Sequence, residues 1–278
     1  MVPIVDQMIE RYLFVSEYLR DHPQLAQWRG SNNDEPAFTD AEVITIGLMQ
    51  GCLGVDTLKK TYNIMAANFG EWFPRLVSYK QWLARLHALS EVIGRLVWAS
   101  VQVTGHDLRL YVFDSKPIPV CKPIRHGRVR LLREDGAYFG KTKAGWFFGF
   151  KLHVVIHISG VVLDAVLTPG HWADGRVAAR LSTAIAGGVG LGDTHYGGQP
   201  VQTELAEEAD LLVITPGTAG KRHKKLISQV RERIETVFSD LWRAFVDRVF
   251  SRSWNGLWNT LKLKLLEYNL CHQGMVSH

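Results

Sequence analysis

Two short apolar runs in this 278-residue chain end in an aspartate. One is the segment 108–114, Leu-Arg-Leu-Tyr-Val-Phe-Asp, and the other is 189–193, Val-Gly-Leu-Gly-Asp. Both read as β-strands. A third acid, Glu235, lies inside a helical stretch over 226–245. A carboxylate at the end of an apolar strand sits close to a core, where an unpaired charge costs several kcal/mol, so a cationic partner is expected. Two strand-end aspartates and one helix glutamate are the parts of a two-metal phosphoryl-transfer site. Carboxylate oxygen suits Mg²⁺ or Mn²⁺. Asp114 is expected to bridge two such ions, with Asp193 and Glu235 holding one each.

Cationic residues surround these acids in sequence. Lys141, Lys143 and Lys151 fall on or beside a strand expected next to that of Asp114, where they could hold phosphates, and His153 alternates onto the face of Lys151. His195 lies two residues past Asp193, at the mouth of the sheet, where strand C-termini place functional loops. Two basic clusters stand out: residues 125–133, with Arg128 and Arg130, and residues 221–225, with Lys224 and Lys225. Both could neutralise nucleic-acid phosphates and make binding steeply salt-dependent. Trp146 and Trp172 read as core or loop anchors, with base stacking as the lesser alternative.

The formal net charge of +5 and pI near 9.1 favour a polyanionic partner. Cys52, Cys121 and Cys271 are far apart and form no Cys-x-x-Cys pair, which argues against structural zinc or a disulfide framework and for a reducing cytoplasm. No apolar run has the roughly 20 residues of a membrane span, and the N-terminus does not read as a signal peptide.

The elements that must position the acids divide in two. Residues 1–104 read as helices alone. Thr39-Asp-Ala-Glu42 and Ser78-Tyr-Lys-Gln81 are capping boxes. The first opens a helix through Met49, and the second opens one long helix with Trp82, Leu86, Leu89, Ile93 and Leu96 on one stripe. A helix over 57–69 precedes it, and the pair has helix-turn-helix spacing that would put Tyr79, Lys80 and Arg85 near a major groove. A plain bundle is the better reading of any one of these residues. Beyond 105, strands are expected at 108–114, 146–156, 160–168, 189–193 and 211–215, with helices at 174–186, 201–209, 223–247 and 256–271. The first three strands suit an antiparallel meander and the last two require parallel crossovers. The outcome is a mixed five-stranded sheet flanked by helices, in a second domain over 105–278.

This order, with acids on the first strand, the fourth strand and the closing helix, is similar to the ribonuclease-H-like fold. The residues around the acids, Asp114-Ser-Lys-Pro-Ile-Pro-Val120, the segment 140–153, Gly192-Asp-Thr-His-Tyr-Gly197 and Arg231-Glu-Arg-Ile-Glu-Thr-Val-Phe238, resemble DDE transposases of bacterial insertion sequences, most nearly the compact group numbered 982. The resemblance implies that Asp114, Asp193 and Glu235 form the DDE triad. It further implies an endonuclease and strand transferase that binds terminal inverted repeats and target DNA, uses two divalent metal ions and acts as a homodimer on paired ends. The spacings of 79 residues between the two aspartates and 42 to the glutamate leave no room for the β-rich insertion of some relatives. Arg231 and Glu235 match the helix motif of the larger superfamily, whereas Ser228 and Trp242 stand where Tyr and Lys would be, and Glu232 is the neighbouring alternative to Glu235. Two rival readings are another ribonuclease-H-like nuclease and a non-catalytic DNA-binding descendant.

Overall fold

The structure, a computed structural model, describes residues 2–29, 35–101, 109–183, 185, 187–217, 224–243 and 251–277, except for some side chains in the helix at 224–243. In chain order the elements are α1 (Ile4–Asp21), α2 (Asp40–Cys52), α3 (Leu58–Asn68), α4 (Tyr79–Ala88), α5 (Ser90–Ala99), β1 (Leu110–Cys121), β2 (Tyr138–Thr142), β3 (Gly145–His157), β4 (Val162–Pro169), α6 (Gly175–Ser182), β5 (Gly188–Leu191), α7 (Gln199–Ala209), β6 (Leu211–Ile214), α8 (Lys224–Arg243) and α9 (Trp254–His272). They form two compact units, Met1–Ser100 with Trp254–His278, and Val101–Ser253.

The first unit is helical. Both capping boxes form: Thr39 accepts from the Glu42 backbone while the Glu42 carboxylate accepts from that of Thr39, and Ser78 and Gln81 do the same. The long helix expected from Ser78 is instead two helices that meet at Leu89, whose φ of −82° and ψ of 13° leave helical geometry. The bend keeps Trp82 and Leu86 of α4 and Val92, Ile93 and Leu96 of α5 in one core. Tyr79 packs its ring against Tyr62 and Trp82, and Arg85 bonds the Asp40 carboxylate at 2.8 Å, so two of the three residues proposed for a major groove hold the bundle together. Lys80 is exposed.

The domain boundary differs from the sequence expectation at α9. That helix was assigned to the second domain, yet Leu263, Leu266 and Leu270 belong to the core of the first unit. The helix is buried around most of its circumference, its polar Asn259, Lys262, Lys264 and Asn269 included, and such a helix is an enclosed one. Enclosure is local: a Cβ on Gly47 would sit 3.0 Å from a Leu263 methyl, so α2 carries no side chain where α9 approaches. Arg11, 1% exposed, reaches from α1 to Glu267 of α9 and also bonds the carbonyls of Gln7 and Ser277. Distant parts of the chain thus close one core.

The second unit is a six-stranded mixed sheet. Its order is β4-β3-β1-β5-β6, with β2 sharing the outer edge of β3. The expected meander is present as β1, β3 and β4, all antiparallel, and β5 and β6 join in parallel after crossovers. The arrangement is compatible with a ribonuclease-H-like fold. Strand β2 was not anticipated; Tyr138, Phe139 and Thr142 are strand formers, but Gly140 and Lys141 interrupt so short a run, and its pairing comes from the hairpin with β3.

Strand β1 also runs longer than expected. It continues past Asp114 to Cys121, so that aspartate is internal to the strand. The ladder to β5 stops at Val112, and Pro117 and Pro119, which lack N–H donors, fall in the stretch paired with β3 alone. Phe113 packs with Val177 and Leu181 of α6 and Leu205 of α7 on one face. Residues alternate along a strand, so Asp114 and Lys116 lie on the other face. Helix α8 covers that face: Lys116 Nζ is 5.7 Å from the centroid of Phe238, and Arg233 Nε donates to the Ile158 carbonyl.

Candidate functional site

Asp193 follows the end of β5 after one intervening residue, Gly192, and opens a single turn, Thr194–Tyr196. Its Oδ1 accepts from the His195 backbone at 2.8 Å, and its Oδ2 lies 2.9 Å from His195 Nδ1. Tyr196 anchors the turn by packing on Phe113, 5.9 Å between rings. Gly192 is required for this, since a Cβ there would meet the Tyr196 side chain at 2.8 Å. The bond from Asp193, and then its charge, raise the His195 pKa above the ordinary histidine value.

A second carboxylate approaches from α6. Asp174 occupies the N-cap position, yet its side chain makes no cap bond. Such a bond is typically worth about 1 kcal/mol. Instead Oδ1 accepts from Ser115 Oγ on β1 and Lys151 Nζ on β3, each at 3.0 Å. Lys151 Nζ also donates to the Trp172 carbonyl at 2.9 Å, so this lysine is held inward and not extended into solvent. Gly175 permits the approach, because a Cβ there would lie 3.0 Å from the His195 carbonyl.

His153 is fully buried, with Nε2 2.8 Å from Thr168 Oγ1 and Nδ1 3.7 Å from Asp174 Oδ1. Burial lowers its pKa more than the Asp174 charge raises it, so the imidazole is neutral at pH 7 and the Asp174 contact is not an ion pair. Its Nδ1, shielded from solvent, has no hydrogen-bond partner among the described residues.

Asp174, Asp193 and His195 offer ligand atoms all within 4.8 Å of one another, the one such group of three among the described residues. Two carboxylates and an imidazole are a chemically suitable donor set for a divalent cation. Exposed His195 leaves the group open to solvent. Lys151 and His195 offset part of the repulsion between the two carboxylates.

Asp114 and Glu235 are not members of this group. Asp114 is half-buried, and its Oδ1 accepts from the Ser115 backbone. Glu235 is exposed on α8, whose buried stripe is Ile227, Ile234, Val237, Phe238 and Leu241. On a helical wheel Glu235 lies about 100° from the centre of that stripe and Glu232 about 160°. Lys141 and Lys143 are exposed on the β2–β3 hairpin, Arg128 and Arg130 are exposed in the loop after β1, and Lys225 is exposed near the start of α8. The side chains of Lys224 and Arg231, and residues 221–223, lie outside the described residues.

The sequence reading missed Asp174, which it took only as the start of a helix. A usable signal was its position after a strand, Pro-Gly and two aromatic residues, in the same kind of strand-to-helix loop as Asp193. It also missed Lys116, two residues beyond Asp114 and therefore on the same face.

A sheet of this order, with carboxylates gathered where its strands meet the following loops, fits the metal-dependent enzymes that cut and join polynucleotides. Residues 104–248, just over half of the chain, match the family model described as Transposase DDE domain, and the chain belongs to that family. It is thus a transposase, a polynucleotidyl transferase acting on DNA, in a family that uses divalent metals. No curated protein and no solved structure matches it. Among the described residues no helix is long and apolar enough to cross a membrane.

Asp174→Asn is expected to weaken Mn²⁺ binding about 10- to 100-fold, the range for groups that hold or orient metal ligands. Titration of the Mn²⁺ electron paramagnetic resonance signal reads this directly. An unchanged affinity in a variant that melts like the parent would remove Asp174 from the site.

Proposed function

We propose that this chain is the transposase of a bacterial insertion sequence of the 982 group. In this reading it binds the terminal inverted repeats as a homodimer, cuts the DNA at the element's ends and joins the 3′ ends to a target, working in the cytoplasm on chromosomal DNA. Asp114, Asp193 and Glu235 are its catalytic acids and hold two divalent ions, Mg²⁺ or Mn²⁺, with Asp174 and His195 beside Asp193. The observation that carries the reading is strand register. The parallel ladder pairs Val112 with Leu191, and the same two-residue step beyond that pair arrives at Asp114 on β1 and Asp193 after β5. Glu235 is supported by its place on α8, the helix over the Asp114 face, one turn before the Phe238 that packs under Lys116.

Cleavage by water and joining by a 3′-hydroxyl are both in-line displacements at phosphorus. Divalent ions, when bound, activate the attacking oxygen and stabilise the leaving one. The carboxylates bind those ions and set their position. Lys116 and Lys151 each place a cation within the unit that carries the acids. Lys141, Lys143, Arg128 and Arg130 offer exposed charge for phosphates farther along the duplex.

A strand-transfer assay tests the proposal. Pre-cut inverted-repeat ends, a plasmid target and Mg²⁺ or Mn²⁺ are expected to give joined products, with none in EDTA. Cut ends that are never joined would identify a nuclease of the same fold. Failure to nick any DNA with either metal would identify a binding protein that has lost catalysis.

A further inference from the structure

The β2–β3 hairpin exposes aromatic surface where a soluble sheet edge would ordinarily present polar side chains. Trp146 is 61% exposed on one face of the hairpin and Tyr138 56% on the other, while Trp172, in the loop after β4, is 42% exposed. The sequence suggested that Trp146 and Trp172 anchor a core or loop; both instead show much of their rings to solvent. Trp146 is also supported from beneath. It pairs across the strands with Lys141, whose Nζ is 5.6 Å from the ring centroid, and it packs edge-on against Phe139 at 6.5 Å. Phe139 rests on Phe148 and His126, and Arg133 lies over Phe148. The indole therefore stands on a cluster of aromatic rings packed edge to face, held on a paired strand.

The surroundings are strongly basic. Residues 122–143 contain seven lysines and arginines against two acids. Lys122, Arg125, Arg128, Arg130, Arg133, Lys141 and Lys143 are all exposed. A protein partner with an acidic face would satisfy the charge and could bury the indole, but a polyanion is already supplied by the DNA on which a transposase acts. Duplex DNA would also satisfy the charge, but its bases are stacked on one another and present no face to an indole. An unpaired nucleotide satisfies both: its phosphates meet the lysines and arginines, and its base stacks on the indole.

We propose that Trp146, with Lys141 beside it, is a stacking platform for an unpaired base of a DNA strand, backed by the basic loop 122–133. The platform would engage the frayed or already cut end of a DNA substrate, so the inference rests on the chain acting on DNA, as proposed above. Unstacking costs least at an end or a nick, which is where a platform of this kind gains most.

The test measures binding of the full chain to a labelled 20-nucleotide oligothymidylate and to a 20-base-pair duplex of mixed sequence, without metal and over the same series of salt concentrations for every variant. Trp146→Ala is expected to weaken single-strand binding about tenfold, in line with a lost stacking contact, with duplex binding changed less than about twofold. Trp146→Phe, which keeps a π-face, is expected to stay within about threefold of the parent. Lys141→Ala is expected to weaken both ligands and to reduce the salt dependence of each. Unchanged single-strand binding by Trp146→Ala overturns the platform, and so does an equal loss on both ligands. Strand transfer is scored separately: a Trp146→Ala protein that binds single strands normally while the parent still joins ends removes the platform and leaves the transposase reading standing. A parent that binds the single strand with tryptophan-dependent affinity yet joins nothing does the reverse.

Discussion

Asp193→Ala is expected to lower metal-dependent DNA cleavage by about 10³-fold or more. Bound metal contributes several kcal/mol of transition-state charge stabilisation in such sites, and each 1.36 kcal/mol is a factor of ten in rate. The loss should be this large because Asp193 lies both in the triad read from sequence and in the group of ligand atoms that the fold draws together. Binding of the DNA ends should change little, since the exposed cations of the loop after β1 and of the β2–β3 hairpin are untouched. Asp193→Ala also frees His195 from the bond that raises its pKa, so Asp193→Asn, which keeps an acceptor for the His195 backbone, is the companion variant. Both variants should fail in cleavage if the charge matters. Cleavage at the parental rate in Asp193→Ala would end its assignment as a metal ligand. Asp114→Ala, read in the same gel assay, asks whether β1 contributes a ligand at all, and full activity there would move the site wholly to Asp174, Asp193 and His195.

The second large effect is on stability. Arg11→Ala is expected to destabilise the helical unit by about 3–5 kcal/mol, the cost of stranding the partner of a buried ion pair. Glu267 is 14% exposed and receives two side-chain nitrogens of Arg11, so the truncation leaves a nearly enclosed carboxylate with few alternatives. For a unit of this size the loss corresponds to a fall in Tm of roughly 10–20 °C. Arg11→Met, which keeps much of the volume, combined with Glu267→Leu should recover most of it, because replacing both charges of a buried pair is often neutral or stabilising. A thermal melt by circular dichroism reads both variants. A change in Tm below about 2 °C for Arg11→Ala would show that the pair is not coupled to folding. The same contacts predict that a fragment ending near residue 104 does not fold alone, since it lacks Leu263, Leu266 and Leu270 of its own core.

Much of the element order could be read from the residues because short-range chemistry specifies it. Thr39 and Ser78 cap the helices they were expected to cap, and the alternation and turns of the later segments indicate three antiparallel strands followed by parallel crossovers. The expected failures came where a neighbour distant in sequence decides. The sheet partner of β1 determines how far that strand runs and how it tolerates two prolines, and nothing within 108–114 contains that information. The bend at Leu89 follows from the shape of the core that α4 and α5 share. The exposure of Trp146 follows from the position of β2 at the sheet edge; composition alone favours burying an indole.

The sequence by itself pointed to most of the side chains proposed for the chemistry, though not to Asp174 or Lys116. Aspartates ending or interrupting apolar runs, basic clusters and the flanking motifs are properties of local order along the chain, and they lead to the transposase family without a fold. The tertiary structure decided which groups stand together. Asp174 leaves its helix cap unmade to reach Ser115, 59 residues away, and Lys151, 23 residues away, and comes within ligand distance of Asp193 and His195. It likewise placed α9 with the first hundred residues and not with the strands it follows. Both outcomes rest on burial and on charge pairing between distant segments, and those free energies exist only once the chain has closed upon itself.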